Sequence, residues 1–254
     1  MKKVLITGGP TNEYIDEVMK ITNMSTGSLA VKLAGIFIEY GYFISLVINN
    51  SVNVEAGLKG IREPLDDRLK ITRVETTDEM LSAIFEESKE NDFDAVIHAA
   101  AVGDYKGDFS FRMEDLAEEL FQKRDSLKSP DDILAVLTNP DCKLDDSSKI
   151  SSYQPNLTVK LGLTPKIIAR LREWFPDALL IGCKLLENVS QDELINTAKE
   201  LCEKNEMDYI LANDLAKLRN GDAARYPVDN SGYIGHALKD ETEIFKFVNI
   251  NLKY

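Results

Sequence analysis

The chain has 254 residues, 44% of them hydrophobic, which suits one large domain with a substantial buried core, two compact lobes being the alternative. Its 43 acidic residues against 30 basic ones give a net charge of -13, a field that repels nucleic acid and anionic membranes, so neither is an expected partner and anionic substrates must be captured by individual lysines and backbone N–H groups. Cys142, Cys183 and Cys202 lack paired spacing and only His98 and His236 are at hand, which argues against structural zinc, while no apolar run reaches the length of a membrane span or signal-peptide core, so the expected location is the cytoplasm.

Residues 2–7, KKVLIT, read as a short buried strand ending in a glycine turn. Over residues 26–40, Leu29, Leu33, Ile36, Phe37 and Tyr40 recur at spacings of three and four, the pattern of an amphipathic helix with Ser25 or Thr26 as N-cap and Gly41 as its stop. YFISLVIN and LKITRVE are two further strands, TTDEMLSAIFEESKE is a helix capped by Thr77, and FDAVIHAA is a fourth strand. Residues 102–156 are polar and acidic, with one helix near residues 114–124, and read as a long excursion from the sheet. Regularity returns with the strand LTVKL, a helix TPKIIARLREW opening on Pro165, and the strand ALLIGCKL. SQDELINTAKELCEKN, a helix capped by Ser190, then leads to the strand DYILAN, a hairpin and a last helix. The alternation predicts an α/β, Rossmann-like, doubly wound and mostly parallel sheet with helices on both faces, as a single domain over residues 1–254.

In such sheets ligands gather at the carboxyl ends of the strands. In TGGPT, Gly8 and Gly9 let backbone approach a nucleotide, or simply make a tight turn. The motif lacks G-x-G-x-x-G spacing, and Asn49 and Asn50 end the second strand where an NAD ribose would need an acid, so a nicotinamide site is disfavoured. In NMSTG, an anion can dock on Ser25, Thr26 and Gly27 at a helix start, or Ser25 or Thr26 merely caps the helix. Asp104, just past HAAAV, suits a sugar hydroxyl, a magnesium ion or a turn cap, while His98 in an apolar run reads as a core histidine. Lys149 in SSKISS is a lone cation among small polar residues.

Taken in order, TGGPTNEYIDEV with ITNMSTG, AAAVGDY, KISS, TPKII, IGCKLLENVS and DYILANDL resemble the phosphopantothenate-cysteine ligase family over nearly the whole chain, and are most similar to its short, single-function bacterial form. The resemblance implies a two-step ligase in coenzyme A biosynthesis: 4'-phosphopantothenate is activated by a nucleoside triphosphate, CTP in most bacterial members with ATP as the alternative, and L-cysteine then displaces the nucleotide. Magnesium would enter through the nucleotide phosphates. Carried over by motif, Asn23 matches the residue that binds the acyl intermediate and Lys149 the lysine on the nucleotide phosphates. Gly8, Gly9, Ala99, Ala100, Asp104, Pro165, Lys166, Ile167, Ile168 and Cys183 match the nucleotide site, with Lys199 and Lys204 near its further lysines. Asn23, Ser25, Thr26 and Gly27 fall to phosphopantothenate. The family also implies a homodimer, with residues 102–156 as flap and partner contact. Met19 and Ser28 stand where the family usually carries cations, Ala30 where glycine is common, Gly103 for serine or alanine and Cys183 for phenylalanine; Lys20 and Lys32 are the nearest compensating charges. Two other readings are a short-chain NAD(P)-dependent reductase or epimerase, for which no Tyr-x-x-x-Lys pair is in position, and a non-catalytic nucleotide-binding relative.

Overall fold

A computed structural model describes residues 1–58, 67–145 and 149–252. The chain opens with strands β1 (Lys3–Gly8), β2 (Asn12–Tyr14) and β3 (Lys20–Thr22), helix α1 (Ser28–Glu39), β4 (Phe43–Asn49) and the single turn α2 (Val54–Gly57). There follow β5 (Leu69–Val74), α3 (Thr77–Glu90), β6 (Ala95–His98), β7 (Tyr105–Arg112), α4 (Met113–Lys123), α5 (Pro130–Thr138) and β8 (Leu157–Leu163). A 3-10 turn at Ile167–Arg170 runs into α6 (Leu171–Trp174), then β9 (Leu179–Leu186), α7 (Gln191–Lys204), β10 (Tyr209–Asp214) and α8 (Leu215–Arg219). Strands β11 (Tyr226–Asp229) and β12 (Gly232–Tyr233) and helix α9 (Glu241–Asn251) complete it. These elements form two units, one of Met1–Thr11, Asn23–Val102 and Pro165–Tyr254, the other of Asn12–Thr22 and Gly103–Thr164.

The first unit holds an eight-stranded sheet in the order β12-β11-β10-β9-β6-β1-β4-β5. The strands from β10 to β5 are parallel, and β11 and β12 add antiparallel at one edge. Among the parallel strands the chain starts in the middle at β1, builds outward through β4 to β5, then returns to β6 and builds the other way. This is the doubly wound arrangement, with its switch point between β1 and β6. Val4 and Ile6 pack on one face with Leu33 and Phe37 of α1 and Ile244, Phe245 and Val248 of α9. Leu5 packs on the other with Met80 and Ile84 of α3 and Leu194, Ala198 and Cys202 of α7. Burial on both faces explains why these strands are continuous apolar runs instead of alternating ones.

Local signals read from the sequence were displaced by a residue or two at helix starts. Helix α1 begins after Gly27, which is left-handed at φ 69° and supplies no side-chain cap, so neither Ser25 nor Thr26 holds that position. Helix α3 is capped by Thr76, whose hydroxyl accepts from Glu79 N–H in a reciprocal capping box. Thr77 is fully buried and donates its hydroxyl to Thr11 Oγ1 at 2.9 Å, a side-chain contact that no local pattern encodes. Ser190 caps α7 as expected, and Gly41 follows α1 at φ 83° with its N–H on Ile38 O. The segment after Pro165 is a 3-10 turn before a single helical turn, not one continuous helix.

The second unit corrects a larger expectation. LTVKL does not return to the main sheet: β8 pairs antiparallel with β7 across a bulge at Gly107/Phe109, and β2 pairs with β3 as a short hairpin. Phe109, Phe111 and Leu116 form its core. Ser129 caps α5 with Pro130 in the first turn and Asp132 bonding back, a complete start signal within the segment read as irregular.

Candidate active site

In the first unit the candidates collect at the switch point. Thr7 O accepts from Ala99 N–H at 3.2 Å and Thr7 Oγ1 from Ala100 N–H at 3.3 Å, and Gly9 O accepts from Ala101 N–H at 2.8 Å. The pairing of β1 with β6 thus continues past both strand ends, and Pro10 bridges Ala101 in parallel. Thr7 Oγ1 and His98 Nδ1 share a hydrogen bond of 2.8 Å. Burial pushes His98 down to about 4, so the ring is neutral at physiological pH and serves as a core partner of Thr7.

Two glycine turns meet above this point. Gly9 has φ 81° and Gly27 φ 69°, and Cβ atoms added to them would stand 2.8 Å and 2.7 Å from the same Val52 Cγ2. Gly8 is needed for a different reason: its Cβ would lie 2.3 Å from Ala30 Cβ, so strand and helix are in direct contact there. Val52 belongs to the turn after β4, which Arg73 braces by donating to Asn49 O at 3.1 Å and Val52 O at 2.8 Å. Asn49 is fully buried; its Nδ2 donates to Glu75 O and its Oδ1 accepts from Ser51 N–H and Oγ. The position where a dinucleotide fold carries its ribose acid is therefore spent on internal structure.

Asn23 is exposed, and its Nδ2 donates to the carbonyls of Ala101 at 3.2 Å and Val102 at 3.0 Å. Two carbonyls on one amide nitrogen fix the plane of the side chain and hence the direction of Oδ1. Ser25 is half-buried and Thr26 exposed. Gly27 caps the helix without a side chain; its own N–H and that of Ser28 make only long bonds of 3.4 Å to Ser25 Oγ and Thr26 Oγ1, and a helix start of this kind presents backbone N–H groups that bind anions.

Pro165 and Ile168 are half-buried, Lys166 is exposed and Ile167 is 2% exposed. The Ile167 and Ile168 side chains pack into the core beneath β9, where Ile168 Cδ1 would stand 3.2 Å from a Cβ on Gly182. Cys183 lies half-buried on β9, its thiol pushed up to about 11 by burial. Lys204 separates from this group. Helix α7 leaves the carboxyl end of β9 and must return to the amino end of the parallel β10. Its 14 residues carry the chain about 21 Å, so Lys204, in its last turn, sits towards the amino ends of the parallel strands, away from Gly9 and Asn23 at their carboxyl ends. Lys32 is also committed elsewhere, donating to Glu241 Oε1 at 3.1 Å.

In the second unit, Asp104 is exposed and its backbone carbonyl accepts from Thr164 N–H at 3.1 Å, while Gly103 O accepts from Thr164 Oγ1. Lys149 is exposed and its neighbour Ile150 is buried. Met19 is half-buried in the β2–β3 turn, and Lys20 Nζ lies 4.6 Å from the Tyr14 ring centroid. Asp16, which the sequence alone did not single out, accepts backbone N–H groups from both this turn and Ile150. Among the described residues no group of three or more His, Cys, Asp and Glu side chains is arranged to hold a metal, and no helix is long and apolar enough to cross a membrane.

The strand order and glycine turns define a Rossmann-like α/β protein with its candidate site at the switch point. The chain belongs to the family described as DNA/pantothenate metabolism flavoprotein C-terminal domain, which matches residues 1–143. It is 31% identical over 220 residues to the coenzyme A biosynthesis bifunctional protein CoaBC of Methanocaldococcus jannaschii, covering 87% of this chain and 42% of that protein. The corresponding protein of Thermococcus kodakarensis is 31% identical over 214 residues, covering 84% and 41%. The chain thus spans well under half the length of these curated relatives. Among solved structures, the DNA/pantothenate metabolism flavoprotein from Streptococcus pneumoniae superposes with a TM-score of 0.74 at 27% identity over 98% of both chains. A Cab2 variant solved with phosphopantothenate-cysteine shares the fold, with a TM-score of 0.66 at 16% identity over 98% of this chain and 85% of that one.

Proposed function

We propose that this chain is a phosphopantothenate-cysteine ligase, joining 4'-phosphopantothenate to L-cysteine at the expense of a nucleoside triphosphate, with CTP preferred. The observation that carries the reading is family membership over residues 1–143 in a chain whose relatives are coenzyme A biosynthesis proteins. The phosphopantothenate-cysteine bound to the structurally similar Cab2 supports the product.

In the first step a carboxylate oxygen of phosphopantothenate attacks the α-phosphorus, the bond to the β-phosphate oxygen breaks, and pyrophosphate leaves. In the second the cysteine amine attacks the acyl carbon, the carbon–oxygen bond to the nucleotide breaks, and a proton is lost from nitrogen as the amide forms. Such chemistry asks the protein chiefly for positioning and charge stabilisation. Gly8, Gly9, Ala99 and Ala100 would bring backbone close to the nucleotide. The N–H groups around Ser25, Thr26 and Gly27 would take the phosphate of phosphopantothenate, and Asn23, its amide plane fixed by two carbonyls, would orient the acyl group. Lys149 would offset charge on the nucleotide phosphates and Asp104 would hold a nucleotide hydroxyl. Magnesium, borne by the triphosphate, would enter as part of the substrate. Helix α5 leaves Ile133, Leu134 and Leu137 exposed, and the homodimer proposed from the family would draw on residues 102–156, a point for sedimentation analysis. As a coenzyme A biosynthesis enzyme the protein would work in the cytoplasm.

The test is direct: protein, phosphopantothenate, cysteine and magnesium with CTP should release pyrophosphate and CMP, faster than ATP releases AMP. Absence of product with both nucleotides sinks the reading.

A further inference from the structure

Asp16 lies at the tip of the β2–β3 hairpin, 4% exposed, and no step above uses it. Its Oδ1 accepts from Val18 N–H at 2.7 Å and Met19 N–H at 2.6 Å, which closes the tip. Its Oδ2 accepts from Ile150 N–H at 2.9 Å, 134 positions along the chain and within the same unit. That N–H belongs to the planar peptide whose carbonyl is that of Lys149. The bonds from Met19, Ile150 and Val18, with the Lys149 charge adding, hold the Asp16 carboxyl below the usual range despite burial, so it is ionised at neutral pH.

The consequence is a division of labour. The Lys149 side chain is exposed and can reach, while the buried Ile150 side chain and the Asp16 carboxylate fix the backbone from which it reaches. We propose that Asp16 is a positioning residue for Lys149, tying the loop that bears this lysine to the β2–β3 hairpin. The use of Lys149 rests on the ligase reading above, whereas the tie itself does not.

Asp16→Asn separates the two duties of the carboxylate. Asparagine keeps one acceptor oxygen, sufficient for the turn at the hairpin tip, and sets an NH2 group against Ile150 N–H. Amide hydrogen exchange over residues 149–152 should speed up about tenfold in this variant while residues 12–22 stay protected. CTP affinity, read by titration calorimetry, should fall about tenfold in Asp16→Asn, and adding the same change to Lys149→Ala should lower it no further, because a residue acting through the lysine then has nothing to position. Unchanged exchange at residues 149–152 overturns the tie. A full further loss in the Lys149→Ala background overturns the positioning role and leaves Asp16 a purely structural support. A parent protein that binds no nucleotide overturns the ligase reading and the positioning role with it, and exchange alone then decides the tie.

Discussion

A Cβ placed on Gly27 would stand 3.1 Å from the backbone nitrogen of Gly9, so the glycine turn after β1 and the one before α1 are in backbone contact. Both have positive φ, and a Cβ on either would collide with Val52. The GGPT and STG stretches therefore make one surface of backbone, with Val52 as its floor.

Gly27→Ala should lower stability by about 2–4 kcal/mol, combining the strain of an L-residue at positive φ with overpacking against Val52. Adding Val52→Ala removes the methyl groups at 2.7 Å and 2.9 Å, so the double variant should lose less than the sum of the two single losses, by about 1 kcal/mol. Urea denaturation of the three variants checks this; strict additivity would argue against the contact.

Asn23→Asp should reduce turnover at least as far as Asn23→Ala, by about 100-fold or more, on the scale of losing one oriented group in an active site. The carboxylate cannot donate to Ala101 O and Val102 O and would face both carbonyls with like charge. Steady-state pyrophosphate release measures the loss, and near-normal turnover in the Asp variant would refute the proposed role.

His98 predicts an acid-side stability loss. Its folded-state value is depressed from 6.5 to about 4, so between these values the unfolded chain binds the extra proton. Stability is then complete above pH 6.5 and declines as pH falls towards 4, by about 3 kcal/mol in all. The Glu119 carboxyl is held down to about 2 by Lys123 and the Asp141 and Cys142 N–H groups, against the opposing effect of burial; its contribution is present above 4.5 and fades only below that. His98→Asn should flatten the urea midpoint between pH 4.5 and 6.5, and an unaltered slope would assign the titration to another group.

The two threonines at the start of α3 should behave differently. Thr76→Ala removes the cap and should cost about 1 kcal/mol, whereas Thr76→Asn should restore most of it. Thr77→Asn, aimed at the position expected from the sequence, should gain nothing, since Thr77 is buried against Thr11. Thermal midpoints of the three variants are the measurement.

Lys204→Gln should leave CTP affinity and turnover unchanged, because the direction of α7 carries Lys204 to the amino edge of the sheet. A large rise in KM for CTP would show that this lysine reaches the nucleotide by a route the fold does not suggest.

The sequence by itself determined the alternating strands and helices of the main sheet, the stop at Gly41, the start at Ser190, and the glycine turns at the strand ends. Those features are written in neighbouring residues: apolar runs for doubly buried strands, three-and-four spacing for helices, and side chains that bond within a few positions. Helix starts at Gly27 and Thr76 slipped because Thr77 found a partner 66 residues away and Ser25 and Thr26 made only local turns. Tertiary structure alone decided that β8 joins β7, that residues 12–22 join residues 103–164, and that Asp16 meets Ile150. Those pairings close long stretches of chain, and a strand's partner depends on which edge the rest of the fold leaves open. The same holds for Lys204, whose separation from Gly9 follows from the path of α7 between two parallel strands and from nothing in its own neighbourhood.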